Sequence, residues 1–537
     1  MRRNRLMTIS LSIIALMLGL PVLALLGSWL EWNGSTSQVL SEMAQTVLPD
    51  YIVSSLLLCM GVAIGVTLLG LSTAAAVTLF KFPGQSFFEW ALLLPMAIPA
   101  YVVAYAYTDF LQFSGPLQNT LRHLFALEGR VFPEIRSLGG AIAIFSLTLY
   151  PYVYLLARSA LSERAVRLME AARMLGAPLR RRIFEIALPM ARPAVAAGVA
   201  LALMETLADF GVSSYFGIQT FTAGVYKAWL VMDNRVAAAQ LATGLLGVVL
   251  ILLQIEKMAQ ARMRFTPSKS NASAASEAQA IELGLSRQYG LAFACSLPII
   301  FGFVLPVVLM LLPLIHSDVQ LPWDRFATWA FNSLRLGGIT AVMAVGIALI
   351  LSFGARSQPT AWHRVAVQWV GLGYAVPGAV VVVGLLLPIT WIQSYWPEST
   401  IGYWVTATVM GLVWAYLVRF TAVALQSIQS GYARIPISLD DASSTLGVSG
   451  LGLLKNVHTP LLKRSVYAAT LLVFVDVMKE LPATLVLRPF NTDTLAVVAY
   501  QLARDERLSE AALPSLALVL VGLIPVILLS RSMKKPL

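Results

Sequence analysis

Four acidic residues stand inside apolar stretches. Glu205 and Asp209 lie four residues apart in one run, and Asp476 and Glu480 repeat that spacing in another. A charge at the centre of a spanning helix costs about 2.5–3.5 kcal/mol on insertion scales, so each needs a task or a partner. Helical spacing puts each pair on one face, one turn apart, with Glu205 roughly 18 Å along its helix axis. Carboxylates at that depth can offer oxygen donors to a hard cation, provided it is held weakly enough to leave again. They can equally form a charge network, in which Lys479 neutralises Asp476 or Glu480, or pairs with Asp209 to close a gate at rest. Both readings stand for the pathway or gate set Glu205, Asp209, Asp476, Lys479 and Glu480, with Glu205 and Asp476 as the metal candidates. Tyr101, Tyr105, Tyr107 and Asp109 follow Pro95 and Pro99 and also carry oxygen, although tyrosines near a span end equally fit an interfacial belt.

The elements that must position these groups are membrane helices. Of 537 residues, 58% are hydrophobic and 12% charged, against about 25% charged in a soluble domain. With a mean hydropathy of +0.76, this is a polytopic membrane protein. Two cysteines are too few for a disulfide framework, the four histidines are scattered, and the absence of any Gly-Lys dipeptide excludes a phosphate loop. No nucleophile–base pair or metal motif sits in a span, so the chain is not expected to be catalytic by itself and binds no cofactor of its own.

Apolar runs of spanning length predict twelve helices, near 7–29, 52–80, 88–112, 138–160, 193–216, 236–256, 290–315, 332–355, 364–392, 400–428, 465–487 and 511–530. The first run is too long for a signal-peptide core and reads as a retained span. With the N-terminus inside, cytoplasmic segments carry 26 Lys and Arg against 10 on the opposite side, with Arg419 and Lys479 within spans. This bias places both termini in the cytoplasm and accounts for the formal charge of +11 without nucleic acid.

The chain is duplicated. Glu170-Ala171-Ala172-Arg173-Met174-Leu175-Gly176, followed by Leu188-Pro189, matches Asp441-Ala442-Ser443-Ser444-Thr445-Leu446-Gly447, followed by Thr459-Pro460, at an offset of 271. The same offset carries Glu205 onto Asp476, Asp209 onto Glu480, and the helix breaker Gly211 onto Pro482. A second pair, Ala97-Ile98-Pro99-Ala100 and Ala375-Val376-Pro377-Gly378, matches at a slightly different offset. This gives a first half, 1–256, with a loop at about 163–192, and a second half, 289–537, with a loop at about 434–464. A cytoplasmic segment, 257–288, joins them, and its Ser268-Lys269-Ser270-Asn271-Ala272-Ser273 stretch has linker composition. The acidic pairs of the two halves are expected to face each other across a pseudo-twofold axis.

Both loops read as short amphipathic helices broken by glycine. Glu163 to Leu175 favours helix, Gly176 suits a left-handed C-terminal position, and a second helix over 178–187 is expected to end at Leu188-Pro189. A lever tied at both ends to membrane helices can transmit motion from a soluble partner.

This punctuation resembles the coupling-loop signature of ABC importer permeases, the binding-protein-dependent type with a separate ATPase. The likeness runs through both copies. Met204-Glu205-Thr206-Leu207-Ala208-Asp209-Phe210-Gly211, Asp476-Val477-Met478-Lys479-Glu480-Leu481-Pro482-Ala483-Thr484, Leu487-Arg488-Pro489-Phe490-Asn491 and Ala503-Arg504-Asp505-Glu506-Arg507 resemble the ferric-iron permeases of that family. The resemblance implies an all-α, type I importer permease fold of twelve helices in two six-helix halves. It implies ATPase coupling through Glu170, Ala171, Ala172, Gly176, Leu188, Pro189, Asp441, Ala442, Gly447 and Pro460. The implied partners are an ATP-binding subunit, a homodimer holding ATP and Mg on the cytoplasmic side, and a periplasmic iron-binding protein, with the chain in the bacterial inner membrane. Asp441, Ser443 and Thr459 depart from the pattern, which fits unequal docking at the second loop. The competing readings are a permease for another small solute such as thiamine, and a proton-coupled carrier using the buried acids as its relay. The lack of any need for matched docking helices in a carrier argues against the latter.

Overall fold

The computed structural model describes residues 2–30, 34–162, 166–230, 232–264, 281–316, 322–358 and 360–534. Its elements are helical, apart from a two-residue parallel bridge pairing Phe80 with Ile281 and Lys81 with Glu282. The Ser268–Ser273 stretch and the start of the first loop, 163–165, lie outside the described residues.

In chain order the main helices of the first half are α1 (Arg2–Gly27), α2 (Leu48–Leu79), α3 (Ala100–Leu111), α4 (Leu138–Ala160), α5 (Val166–Met174), α6 (Leu188–Ala208), α7 (Gly211–Tyr215) and α8 (Arg235–Arg264). Then follow α9 (Leu285–Ile299), α10 (Leu305–His316), α11 (Trp323–Ser357), α12 (Gly378–Tyr395), α13 (Val409–Tyr432), α14 (Ser438–Thr445), α15 (Lys463–Lys479), α16 (Pro482–Leu487), α17 (Leu495–Arg504) and α18 (Leu508–Lys534). The repeat is visible in their bounds: α4 and α13 start 271 residues apart, as do α7 and α16.

Ten helices among the described residues are long and apolar enough to cross a membrane, and one further span is bent by 87° between Gln85–Ala97 and Ala100–Phe125. Twelve continuous runs were expected, and the difference has two causes. The run at 88–112 contains Pro95 and Pro99, which end one helix and start another. The run at 465–487 splits into the 17-residue α15 and short α16, because Pro482 at the start of α16 cannot continue the helix before it.

The packing units divide the chain differently from the repeat. One comprises Met1–Ala44, Gly224–Leu246 and Pro322–Val498; the other comprises Gln45–Ala223, Gly247–Leu321 and Ala499–Leu537. The first unit is a bundle of α11, α13 and α15, and α1 joins it along α12. A Cβ on Gly384 of α12 would sit 2.2 Å from the Pro21 carbonyl oxygen, so only glycine lets these backbones meet. Trp414 Nε1 donates to the Met17 carbonyl at 3.0 Å, and Trp362 Nε1 to Ser12 Oγ at 2.9 Å. In the second unit α2, α4 and α6 pack together. Buried Tyr150 and Tyr154 of α4 each donate at 2.8 Å to carbonyls before α3, those of Leu92 and Glu89. α9 and α10 belong to this unit, where the Tyr107 hydroxyl of α3 donates to the Phe301 carbonyl between them. Each half therefore sends its first helix into the bundle built by the other.

Candidate functional site

The two loops fold alike to the level of single bonds. After α5, Leu175 is 87% exposed and Gly176 takes φ +79°; after α14, Leu446 is 82% exposed and Gly447 takes φ +78°. Ala177 N–H closes onto the Ala172 carbonyl, and Val448 N–H onto the Ser443 carbonyl, both at 2.9 Å. This is the six-residue closure of a glycine C-terminal motif, reachable without strain because glycine accepts the left-handed region. Glu170, Ala171, Asp441, Ala442, Gly447 and Pro460 are exposed, while Ala172, Leu188 and Pro189 are half-buried. Met174 and Phe184 extend the exposed apolar surface of the first loop, Ile437 and Leu451 that of the second.

Leu188-Pro189 does not end a helix. It opens α6, entered from a wide π turn over Arg182–Ala187 in which Leu188 N–H donates to Ile183 O, five residues back. The wide turn relieves the clash that proline would make with an α-helical carbonyl four residues earlier. Leu454–His458 makes the same turn ahead of Pro460.

The loops differ in what holds them. Asp440, on α14, takes a two-pronged contact from Arg356 at the end of α11, Nε to Oδ2 at 2.7 Å and Nη2 to Oδ1 at 3.1 Å. Fully buried His458 adds Nε2 to Oδ1 at 2.9 Å and meets the Tyr432 hydroxyl through Nδ1 at 3.2 Å. Arg356 also donates to the Ile435 and Pro436 carbonyls, each at 3.0 Å. Burial acts to raise the Asp440 pKa, but the hydrogen bonds and charges of Arg356 and His458 outweigh it and hold the carboxyl below its ordinary value. In the first loop the position matching Asp440 is Met169, which is buried as an apolar anchor. The sequence reading missed Arg356, Asp440 and His458; an acid one residue before the repeated motif was the only local signal.

The intramembrane acids sit at two helix breaks. α6 stops at Ala208, so Asp209 is not one turn further along the face of Glu205; it is extended, with φ −72° and ψ 131°. Its Oδ1 accepts from Val212 N–H at 2.8 Å, starting α7. Glu480 is likewise extended after α15. Its carboxylate accepts from Ala483 N–H at 2.9 Å and from Thr484 N–H at 3.0 Å, with the Thr484 hydroxyl at 2.7 Å. Both acids thus cap the short helix that resumes the span, satisfying amides that a broken helix exposes. Glu205 and Asp476 are half-buried one turn before their breaks, as is Lys479.

The cation on buried Glu480 is Arg419 of α13, Nη1 to Oε1 at 3.1 Å. At the corresponding place in α4 stands Thr148, whose hydroxyl bonds the Ile144 carbonyl of its own helix. Around the Asp209 break the neighbours are aromatic. Tyr105 and Tyr215 rings stack edge-to-face at 4.7 Å, Tyr101 lies 5.6 Å from Tyr105, and the Tyr500 hydroxyl meets Ser214 Oγ at 2.8 Å. Among the described residues no three His, Cys, Asp or Glu side chains come together as a metal site.

Residues 67–264, which contain the first hinged loop and the first break, match the family of binding-protein-dependent transport system inner membrane components. Over those residues the chain is similar to that permease family. An Fe(3+)-transport system permease protein, FbpB 2, of Haemophilus influenzae is 24% identical over 485 residues, 89% of each chain. A ferric transport system permease protein FbpB of Actinobacillus pleuropneumoniae is 23% identical over 497 residues, 88% of this chain and 70% of that one. A putative 2-aminoethylphosphonate transport system permease protein of Salmonella choleraesuis is 29% identical over 191 residues, 35% of this chain and 66% of that one. The chain carries many helices long and apolar enough to cross a membrane and is similar to transport permeases.

Proposed function

We propose that this chain forms the translocation pathway of an ATP-driven importer for ferric iron in the bacterial inner membrane. The observation that carries the coupling part is the pair of glycine-hinged loops, each presenting an exposed leucine at the same register. Solvent-exposed Leu175 and Leu446 on short braced helices have the character of anchors for a partner's pockets, and two equal anchors suit a homodimeric ATPase that holds ATP and Mg. The chain itself holds no cofactor, and nucleic acid has no part. The excess of Lys and Arg on the loop side supports a cytoplasmic location for both loops and both termini. The opposite face then receives cargo from a periplasmic iron-binding protein.

The cargo rests on coverage. The two relatives named for ferric transport align with 89% and 88% of this chain, whereas the relative named for aminoethylphosphonate aligns with 35%. The acids at mid-span are permissive for a hard cation. The deciding experiment is radioiron uptake by proteoliposomes containing the chain with its ATPase and binding protein. Uptake is expected only with ATP. Uptake that ignores ATP defeats the importer reading, and ATP-driven transport of an organic cation or phosphonate without iron defeats the ferric one. In the same assay, Glu205→Gln with Asp476→Asn is expected to abolish transport if these acids touch cargo, and wild-type uptake would remove them from the pathway.

A further inference from the structure

Among the described residues α11 is the longest helix, 35 residues without a proline, and it is held at two levels. At one end Arg356 fixes it to the second loop. Besides its fork on Asp440, the guanidinium donates to the Tyr432, Ile435 and Pro436 carbonyls at 3.3, 3.0 and 3.0 Å. Towards the other end, Ser333 Oγ accepts from Leu495 N–H at 2.9 Å, and Asn332 Nδ2 donates to the Asn491 and Asp493 carbonyls at 3.4 and 3.2 Å. The segment so held is closed on itself by Arg488 Nε on Asp493 Oδ1 at 2.7 Å. It directly follows α16, the short helix that Glu480 caps. Between Ser333 and Arg356 the helix rises roughly 35 Å at ~1.5 Å per residue, close to the ~30 Å hydrocarbon thickness of a bilayer.

The first half builds the same helix with a different inner end. At the register that matches Ser333 with Ser55, the buried positions of α11 and α2 coincide: Leu336 with Leu58, Thr340 with Val62, Ala344 with Val66 and Ala348 with Gly70. Ser55 Oγ accepts from Phe221 N–H at 3.0 Å, as Ser333 does from Leu495. At the place of Arg356, however, stands Thr78, whose buried hydroxyl has no hydrogen-bond partner. At the place of Asp440 stands Met169. An unbranched thioether adapts its shape to its surroundings, whereas a two-pronged guanidinium–carboxylate contact fixes distance and angle together. The helix forms with Thr78 and Met169 in one half, so folding alone does not account for the Arg356 hold in the other.

We propose that α11 is a transmission rod of the second half alone, in which Arg356 and the Asn332–Ser333 pair are positioning residues that make the second loop and the 491–495 segment across the membrane shift together. The inference rests on the ATP-driven reading of the loops and is independent of the cargo. A continuous helix keeps its length because each turn is tied to the next. A shift of ~1–2 Å, the usual size of helix movements in switching proteins, is therefore delivered from one end to the other. Motion of α14 against a soluble ATPase thus reaches the far side of the break at Glu480. With Thr78 and Met169 at the matching places, the first loop acts instead through its covalent connection to α6.

The test is hydrogen exchange in the full-length chain assembled with its ATPase in lipid nanodiscs, with a non-hydrolysable ATP analogue present or absent. In the wild type the analogue is expected to change exchange over 491–495 by about fivefold or more, while 219–223, after the first break, stays as it was. Arg356→Met is expected to abolish the change at 491–495. A purely structural role would instead loosen α14 and leave that distant response in place. Asn332→Ala with Ser333→Ala, a cut at the other end of the rod, is expected to abolish it too, so the outcome does not depend on Arg356→Met folding. Thr78→Val, which removes a hydroxyl that bonds nothing, is expected to leave the response at wild-type size. If the analogue alters exchange in α5 and α14 but not at 491–495, or if either rod variant keeps the distant response, the rod is overturned and the importer stands. An equal response at 219–223 overturns its confinement to one half. If the analogue alters neither loop, the ATP-driven reading falls, and the rod with it.

Discussion

The two helix breaks show how one backbone device acquires opposite electrostatics. Asp209 and Glu480 occupy the same place in the repeat, both extended, both capping a short helix that resumes the span. Around Glu480 the protein supplies a guanidinium and a single phenol, Tyr416, whose hydroxyl meets Thr484 Oγ1 at 2.6 Å. Around Asp209 the guanidinium's place is taken by threonine, and the neighbours are phenols. Capping needs only an acceptor near two or three amides, so it constrains both copies equally. Charge balance is a separate requirement, and after duplication each copy is free to meet it differently. Arg419 supplies the balancing charge at one break, while at the other Thr148 stands in its place and Asp209 accepts from the Val212 amide.

The sharpest way to break this comparison is to remove the guanidinium. Arg419→Met leaves Glu480 buried without a cation, and truncating one partner of a buried pair costs about 3–5 kcal/mol. A lowered thermal midpoint of the purified chain would register it, and adding Glu480→Gln is expected to recover most of the loss. Thr148→Val, the matching change in the first half, removes one hydrogen bond within a helix and is expected to cost about 1 kcal/mol. Equal losses at both positions would mean that the breaks are balanced alike. A smaller effect addresses the loops: alanine at Gly176 or Gly447 must adopt a left-handed conformation, at about 1–2 kcal/mol each. Hydrogen exchange over 166–174 and 438–445 should rise by similar factors in the two variants, and a one-sided response would show that the hinges are not equivalent.

The smallest effect separates the loops by pH. Because Arg356 and His458 hold the Asp440 carboxyl below its ordinary value, the contact favours the folded loop above the ordinary value of about 3.9 and loses its contribution as pH falls through the depressed native one. Exchange in α14 should therefore quicken below about pH 4, while α5, anchored by buried Met169, stays as it was.

Local and periodic features were legible in the sequence. The 271-residue repeat foretold the hinged loops, since Leu-Gly after a short helix carries its own geometry, and Gly211 and Pro482 marked both breaks. What escaped notice depends on residues distant along the chain. Arg419 lies 61 residues from Glu480, and Arg356 lies 84 from Asp440; nothing in composition connects them. Lys479 was the expected neutraliser of the acids in its span because helical spacing made it a neighbour, whereas the cation found on Glu480 comes from another helix. Hydropathy likewise measures length and not continuity, so it counted α15 and α16 as one span. The same blindness hid the wide turns ahead of Pro189 and Pro460, which let a proline open a helix instead of closing one.

The exchange of first helices has a consequence for synthesis. Pro21 leaves the ribosome long before Gly384, the residue whose missing side chain lets α1 dock. At 5–20 residues per second the interval is roughly 20–70 s, during which α1 sits in lipid without its final neighbours. Neither half, made alone, owns the full set of helices that its bundle needs. Carrying both on one polypeptide guarantees that each wandering helix finds its destination in equal number, a bookkeeping that two separately translated subunits would have to achieve by collision within the membrane.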